Sequence, residues 1–575
     1  MNYKTWKIGG EAGFGIMVSG LTLSKALARS GFHIIEINEY PSLIRGGHNT
    51  VSITFSPDEL SAQYKPVDVL VALNKQTIEY HREELGGGAI VIYDGSQYEI
   101  EKTPESANFL SVPLLTLAKS VGGDLIMRNT VALGVSMAIL GIDFEILSNI
   151  LTSQFAKKGE KVTTLNVSAA RKGYDYIFSN FKEFASKKEA PKQTQKQMVV
   201  TGAEAVGLGA ISAGMKFFAA YPMTPINAIL NLMASIQEKM GIVYKQPEDE
   251  IAGINMAIGA SFAGVRSMVA TSGGGFSLMV EGTSLAGMIE QPIVIVMGMR
   301  PGPATGLPTW TGQADLHFVL NASQGEFPRL VVAPGDAQEA FYLTSVAFNL
   351  ADTYQTPTFV LVDKYLCETR YSTPIFEASK VSIDRGKIAT EREQGKEIEF
   401  PRYTFTEDGI SPRGIPGRKK GVFRANSDEH NEYGYSEESA ENTRKMIEKR
   451  MKKQMAADKI APDPVIYGEK DADVTVIGWG STKGAALEAI KNFKEEGKIS
   501  VNYVQLNYVN PFPTVAVSRI LGNCKRVIDV EGNHNGQMAD LIRMKTGYEI
   551  KNKILKYDGR PFYPEDIIEG LKKYV

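Results

Sequence analysis

The chain has 575 residues, 43% hydrophobic and 22% charged, with a formal net charge of −2. That mix describes a globular protein of several domains with real cores, and it excludes a basic nucleic-acid binder or a chain held on anionic lipid. The only two cysteines, Cys367 and Cys524, cannot hold an iron–sulfur cluster, which takes about four thiolates, and form no disulfide framework, so a reducing cytoplasm is the expected compartment.

The opening MNYKTWKIGGEAGFG lacks the charged, apolar and cleavage regions of a secretory signal. No window approaches about 18 uninterrupted apolar residues, so no membrane span is expected. YKTWKIGG reads as a strand entering a Gly-rich turn, and GLTLSKALARSG as an amphipathic helix. HIIEINEY, VSITF, VDVLVALN and GGAIVIYDG read as further strands. Strands alternating with helices predict an α/β domain with a mixed sheet over residues 1–186.

Residues 187–197, with KKEAPKQTQK, read as a linker. A second α/β domain is expected over 198–378. QMVVTG opens it, AEAVGLGAISAGMKFF reads as a small-residue helix, and FAAYPMTP as a strand ending in a Pro-bounded loop. VYKQPEDE leads into the helix IAGINMAIGASFAG, and SMVATSGGG, PIVIVMGMRPG, RLVVAPGD and TPTFVLVDK supply further strands. Ligands gather at the carboxyl ends of such strands, so a site is expected there. Residues 379–465, rich in charge, Pro and Gly, read as a long surface excursion. Its end, ENTRKMIEKRMKKQMAADK, is basic and helix-forming, and reads as a solvated packing helix rather than a docking patch for an acidic partner. From 466 to 575 the pattern VTVIGWGS, TKGAALEAIKNFKEEG, SVNYVQLNYVNPFP and RVIDVEGN predicts a third compact α/β domain.

Five local features could carry chemistry, each with a plain structural alternative. Gly13 and Gly15, in GGEAGFG before a helix, expose backbone N–H groups that suit phosphate, or simply allow a tight turn. The spacing does not satisfy GxGxxG, because Val18 stands three residues after Gly15. Nearby SLIRGGH adds Arg45 and a second Gly turn. Tyr221-Pro222-Met223-Thr224-Pro225 holds the Thr224 hydroxyl at a strand end, or makes a rigid loop whose Thr caps the next helix. Glu250, last of Glu248-Asp249-Glu250, either answers a helix dipole or is desolvated against the close-packed IAGINMAIGAS, which would raise its pKa and let it share a proton with a ring nitrogen. Arg300 ends a buried strand and could anchor a substrate carboxylate or a structural ion pair. No P-loop, zinc-spaced Cys/His cluster, HExxH or GxSxG occurs, so no metal ligand is assigned. Nor is there a GDG followed by Asn-Asn, the usual cradle for thiamine diphosphate and Mg²⁺, since Gly335-Asp336 leads into a helix.

Taken in order, GAEAVGLGAISAG, YPMTP, EDEIAGINMAIGASFAG, TSGGGFSLMVEG, EQPIVIV, RPGPATGLPTWTGQADL, EDGISPRGIPG and DEHNEYG resemble the α subunit of 2-oxoacid:ferredoxin oxidoreductases. The first 180 or so residues resemble that family's γ domain, and VEGNHNGQMADLIR its transketolase-C-like domain. The resemblance covers nearly the whole chain.

It implies a CoA-dependent oxidative decarboxylase of a 2-oxoacid, the γ–α fusion and GPATGLPT pointing to 2-oxoglutarate. The middle domain would bind the pyrimidine of thiamine diphosphate. A separate β subunit would hold the diphosphate with Mg²⁺ and a [4Fe–4S] cluster, passing electrons to ferredoxin in an (αβ)2 assembly. Glu250 would hydrogen-bond the pyrimidine N1′, Thr224 would contact substrate and Arg300 would bind its carboxylate. Tyr221, Pro222, Ser272, Gly273 and Gly274 would pack around the coenzyme, and Gly13, Gly15 and Arg45 would cradle CoA. Met223, Ile226-Asn227, Ala203 and Gly274 depart from the family's more usual YPITPSS, GNEA and GPG. The first two changes bear on substrate identity more than on reaction type. Competing readings are a non-redox thiamine enzyme related to 2-oxoacid decarboxylases or transketolase, and a non-catalytic CoA-binding assembly subunit.

Overall fold

The computed structural model describes every residue except 1–2, 44–45, 101–105, 187–190, 192–195, 390–398, 418–421 and 496–498. The chain forms two compact units, one comprising Met1–Val200, Thr369–Ile375 and Tyr563–Glu565, the other Thr201–Glu368, Phe376–Phe562 and Asp566–Val575. Most of the expected linker lies outside the described residues.

The first unit is built on strands β1 (Lys4–Glu11), β2 (His33–Glu39), β3 (His48–Ser56), β4 (Val67–Ala72), β5 (Leu85–Tyr93), β6 (Asn108–Ser111) and β7 (Gln197–Thr201). They form a mixed sheet in the order β6-β5-β4-β1-β3-β2, followed by Arg370–Pro374 and β7. β1 pairs parallel with β4 and antiparallel with β3. The inward sequence of β1, Trp6 and Ile8, joins one core with helices Ile16–Arg29, Arg128–Leu140, Phe144–Phe155 and Glu160–Asn180. Every residue of Arg128–Leu140 is buried, the signature of a helix enclosed by its neighbours. Among the described residues no single helix is long and apolar enough to cross a membrane.

The second unit has two sheets. One contains β8 (Met215–Ala219), β9 (Val243–Lys245), β10 (Arg266–Ser272), β11 (Ile293–Met299), β12 (Leu330–Val332) and β13 (Pro357–Asp363). The order is β12-β13-β11-β10-β8-β9, all parallel, with Tyr508–Asn510 added antiparallel at the β12 edge. Every residue of β10, β11 and β13 is buried, as a parallel sheet covered on both faces requires. The other sheet joins Val465–Tyr467, Val501–Leu506, Val474–Trp479, Val527–Glu531 and Asn552–Leu555. Ile295 and Met299 share one core with Trp479 and Leu506, so the middle and C-terminal sheets pack as a single body. The helix expected through MKFF is shorter than the sequence reading: it stops at Ser212, Gly214 turns at φ +81°, and Met215–Ala219 is strand.

The charged excursion differs most from expectation. The helix Ala440–Asp458 does pack, but Lys449, Arg450 and Lys453 lie on its buried face with Asn442, Met446 and Ala457. Lys449 Nζ donates to both Glu290 oxygens at 2.6 and 2.8 Å, and Lys453 also pairs with Glu290. Arg402 donates to the Glu290 carbonyl. Burial acts to raise the Glu290 pKa, but Lys449, Lys453 and Arg402 outweigh it and hold the carboxyl well below the usual range. Arg266, Arg385 and Arg413 likewise converge on buried Asp352 at 2.8, 2.8 and 3.1 Å. Cations aimed inward leave no apolar periodicity, so the sequence pattern read as solvated.

Removing one partner from such a cluster strands buried charge. Glu290→Gln is expected to cost about 3–5 kcal/mol, seen as a clear fall in the urea unfolding midpoint; an unchanged midpoint would show that the cluster does not hold this segment down.

Candidate functional site

Three neighbouring parallel strands deliver the marked loops to one place. β8 ends at Ala219 before Tyr221–Pro225, β10 ends at Ser272 before the glycine turn Gly273–Gly275, and β11 ends at Met299 before Arg300. Carboxyl ends of adjacent parallel strands form the crevice where such folds place ligands. Gly298 keeps the β11 end bare: a Cβ there would meet Pro225 and Ile226 at 3.0 and 2.9 Å. The Tyr221–Pro225 loop therefore lies directly on the strand.

The three acids before helix Glu250–Phe262 divide their work. Glu248 is exposed. Asp249 is the N-cap, accepting from the Ala252 N–H at 2.8 Å. Glu250 is thereby free of capping and turns inward, 3% exposed, with Thr271 Oγ1 donating to its Oε1 at 3.4 Å. Thr271 also contacts the Met223 sulfur at 3.9 Å. Gly275 makes room for this arrangement, since a Cβ would sit 2.3 Å from Glu250 Oε1 and 2.0 Å from Thr271 Oγ1. Ser272 is fully buried, and its hydroxyl has no partner among the described residues.

Arg300 Nη1 donates to the Thr224 carbonyl at 3.0 Å. Among the described residues it forms no ion pair within 4.0 Å, so the structural-ion-pair alternative is not met. Burial lowers the Arg300 pKa, and Asp315 opposes the shift. The capping alternative for Thr224 also fails, because helix Asn227–Met240 is capped by Ile226 without a side-chain bond. The structure thus links Arg300 to the Thr224 backbone, and Met223 beside it through Thr271 to Glu250 and Gly275. Tyr221 and Pro222 are exposed at the rim, and Gly274 is open, since a Cβ on it would meet nothing within 4 Å. Asp315 is the site group that sequence reasoning missed. It lies within the quoted GLPTWTGQADL, and its Oδ2 would be 3.1 Å from a Cβ on Gly273.

The residues present fit the base end of thiamine diphosphate. A flat ring needs a buried carboxylate for one ring nitrogen and bare backbone over its face, and Glu250 with Gly273–Gly275 offers both. Among the described residues no cluster of three or more His, Cys, Asp or Glu could hold a metal.

In the first unit, Gly13 and Gly15 take φ +92° and +74°, and Gly15 is the N-cap of Ile16–Arg29. A cavity of about 430 Å³ opens beside them, lined by Gly15, Ser19, Thr22, Asn129, Gln154 and Lys158 among others. Gly46 and Gly47 also have positive φ, while Arg45 lies outside the described residues. Behind this turn, His48 and His81 face each other with Nε2 atoms 2.9 Å apart, and His81 Nδ1 lies 2.9 Å from Glu84. Burial, then His81 and Lys7, push His48 down to about 4.

A covered parallel sheet whose strand ends hold a buried acid beside a glycine turn is the architecture of a thiamine-diphosphate-binding domain, and the comparisons with known proteins give it a family. Residues 5–176 match the model for pyruvate ferredoxin/flavodoxin oxidoreductase, 208–451 its thiamine-diphosphate-binding region, and 472–567 core domain II of pyruvate:ferredoxin oxidoreductase. A 2-oxoacid:ferredoxin oxidoreductase subunit alpha from Sulfolobus is 35% identical, over 99% of this chain and 97% of that one. The 2-oxoglutarate synthase subunit KorA of Methanothermobacter thermautotrophicus is 32% identical, covering 66% of this chain and 99% of the relative. A solved structure of 2-oxoglutarate:ferredoxin oxidoreductase from Magnetococcus marinus, with 2-oxoglutarate, coenzyme A and succinyl-CoA bound, superposes with a TM-score of 0.92 at 32% identity, covering 100% and 99% of the two chains. The chain belongs to the 2-oxoacid:ferredoxin oxidoreductase family, matching its α subunits along nearly its whole length.

Gly275→Ala is expected to force the Glu250 carboxylate out of its place. Such overpacking costs about 1–3 kcal/mol, equivalent to roughly 5- to 150-fold in affinity. Titration of thiamine diphosphate into the assembled enzyme, followed by intrinsic fluorescence, measures the loss; unchanged affinity would separate Gly275 from the coenzyme site.

Proposed function

We propose that this chain, together with a β subunit, catalyses CoA-dependent oxidative decarboxylation of a 2-oxoacid, with 2-oxoglutarate preferred, and passes the electrons to ferredoxin. The observation that carries the reading is Glu250: buried, relieved of capping by Asp249, and opposed by a turn that tolerates no side chain at Gly275. Thiamine diphosphate, when bound, supplies the electron sink for loss of CO₂. Glu250 holds a proton against a nitrogen of its pyrimidine ring, while Ser272, Gly273 and Gly274, with Tyr221 and Pro222 at the rim, shape the space around that ring. Arg300 presents the rest of its donor fork to the substrate carboxylate. The Thr224 carbonyl orients that fork, and its hydroxyl stands at the same strand end.

A partner completes the site in this reading. Ile251, Met256 and Leu278, on the two helices that begin at Glu250 and Gly273, are 49, 41 and 47% exposed. An apolar face beside a coenzyme pocket fits a subunit interface. The β subunit would there contribute the diphosphate and Mg²⁺ half and the [4Fe–4S] cluster, consistent with only two cysteines in this chain. Preference for 2-oxoglutarate is supported by the ligands of the Magnetococcus structure and the KorA relatives. A CoA role for Gly13, Gly15 and Arg45 rests on the positive-φ turn at a helix N-terminus.

The chain co-expressed with its β subunit is expected to reduce a dye when given CoA and a 2-oxoacid, with the highest kcat/KM on 2-oxoglutarate when compared with pyruvate. Glu250→Gln is expected to assemble normally but lose turnover by roughly 100-fold or more, in line with removal of an acid–base group. Wild-type turnover in that variant would remove Glu250 from the mechanism. CoA-independent release of an aldehyde would favour a non-redox thiamine enzyme instead.

A further inference from the structure

Asp315 has an unusual position for an aspartate at the start of a helix. It is the N-cap of the short helix Leu316–Asn321, yet its side chain makes no capping bond. Among the described residues its carboxylate has no hydrogen bond and no ion pair within 4.0 Å. It lies instead over Gly273, its Oδ2 3.1 Å from where a Cβ would stand. Glu250 closes on the same turn from Gly275, with the corresponding distance 2.3 Å. Two carboxyl groups therefore flank the glycine turn, one on the side of Thr271 and one on the side of Arg300.

Arg300 is the charged side chain that acts on Asp315, and it does so without closing an ion pair. Among the described residues, the other elements around Asp315 bring no counter-charge to it. Helix Gly273–Met288 presents its glycine turn. Helix Gln537–Thr546 packs on the same short helix, but Gln537 bonds the His317 N–H and Asp540 faces His317 at 3.9 Å. A guanidinium and a half-buried carboxyl, neither in an ion pair among the described residues, thus share one crevice, and Ser272, next to Gly273, has an unpartnered hydroxyl.

We propose that Asp315 is a substrate-binding residue that must carry a proton when a 2-oxoacid carboxylate sits on Arg300, so that substrate and proton bind together. The inference rests on the reading of Arg300 as the substrate anchor. An ionised Asp315 competes for the guanidinium and repels the incoming carboxylate, whereas the protonated group relieves the repulsion and offers a donor. Burial raises the Asp315 pKa to about 6, with Arg300 opposing, so the two states exchange close to neutral pH. A second negative charge on Arg300 lifts the titration further, and proton uptake on binding follows by linkage.

The test uses the complex purified with its β subunit. The wild-type KM for 2-oxoglutarate is expected to rise roughly 50-fold between pH 5.5 and 8, within the range that a like-charge pair a few ångströms apart exerts at an effective dielectric near 20. Asp315→Asn, neutral at every pH and still a donor, is expected to flatten that rise and lower KM roughly 50-fold at pH 8, with kcat changed less than about twofold. Calorimetry with oxamate, an unreactive 2-oxoacid mimic, in buffers of different ionisation enthalpy at pH 7 reads the proton directly and needs no variant. Uptake approaching one proton in wild type, absent in Asp315→Asn, supports the proposal. No uptake in wild type overturns it, as does an unchanged KM slope in the variant or a raised KM at all pH values. Arg300→Gln separates the two layers: if oxamate still binds that variant as tightly as wild type, the anchor reading has failed, whereas lost binding together with no wild-type uptake condemns Asp315 alone.

Discussion

A carboxylate taken out of water must be compensated or used, and the placement of Glu250 is the constraint around which the second unit is organised. Three conditions keep that carboxylate inside with no counter-ion among the described residues. Asp249 satisfies the helix N-terminus in its place. Gly275 withholds a Cβ that would occupy the same volume. β8, β10 and β11 end side by side, so that Thr271, Met223 and Arg300 all reach the crevice. Each condition is local, but they meet only because the strands are parallel and adjacent.

The far ends of the two site helices are tied down by the charged excursion. Helix Glu250–Phe262 ends with Phe262 packed on Phe423, ring centroids 4.9 Å apart, and Arg385 donates to the Gly264 carbonyl beyond it. Helix Gly273–Met288 runs into Glu290, which is held by Lys449 and Lys453. The polar clamps thus fix the ends opposite to the chemistry. A buried ion cluster adds little net stability compared with a packed apolar one, but it is unforgiving of misplacement. For helices that must present a carboxylate and a bare glycine turn within a few tenths of an ångström, that intolerance is useful. The strand Tyr508–Asn510 reinforces the arrangement by joining the C-terminal sheet to the β12 edge.

Asp315 and Glu250 show how one turn can serve two carboxyls of different character. Glu250 sits against Thr271 and the closed side of the turn, whereas Asp315 is half-buried and faces a cation it does not touch.

Much of this was written in local pattern. The strand-to-loop transitions, the α/β class of all three sheets and the helix IAGINMAIGASFAG follow from short-range periodicity and turn residues, which neighbours in sequence control. The ordered motifs were also enough to recognise the family, because several of them are strand ends and helix starts whose backbone demands particular residues. What neighbours in sequence could not decide was which of three consecutive acids turns inward, since Asp249 and Glu250 differ only in where the helix begins. Nor could they show that the basic helix buries its cations, because their partners Glu290 and Glu429 lie at other points in the chain. Asp315 escaped for the same reason: its meaning comes from Gly273 and Arg300, 42 and 15 residues away in the chain, and only the folded sheet brings those strand ends together.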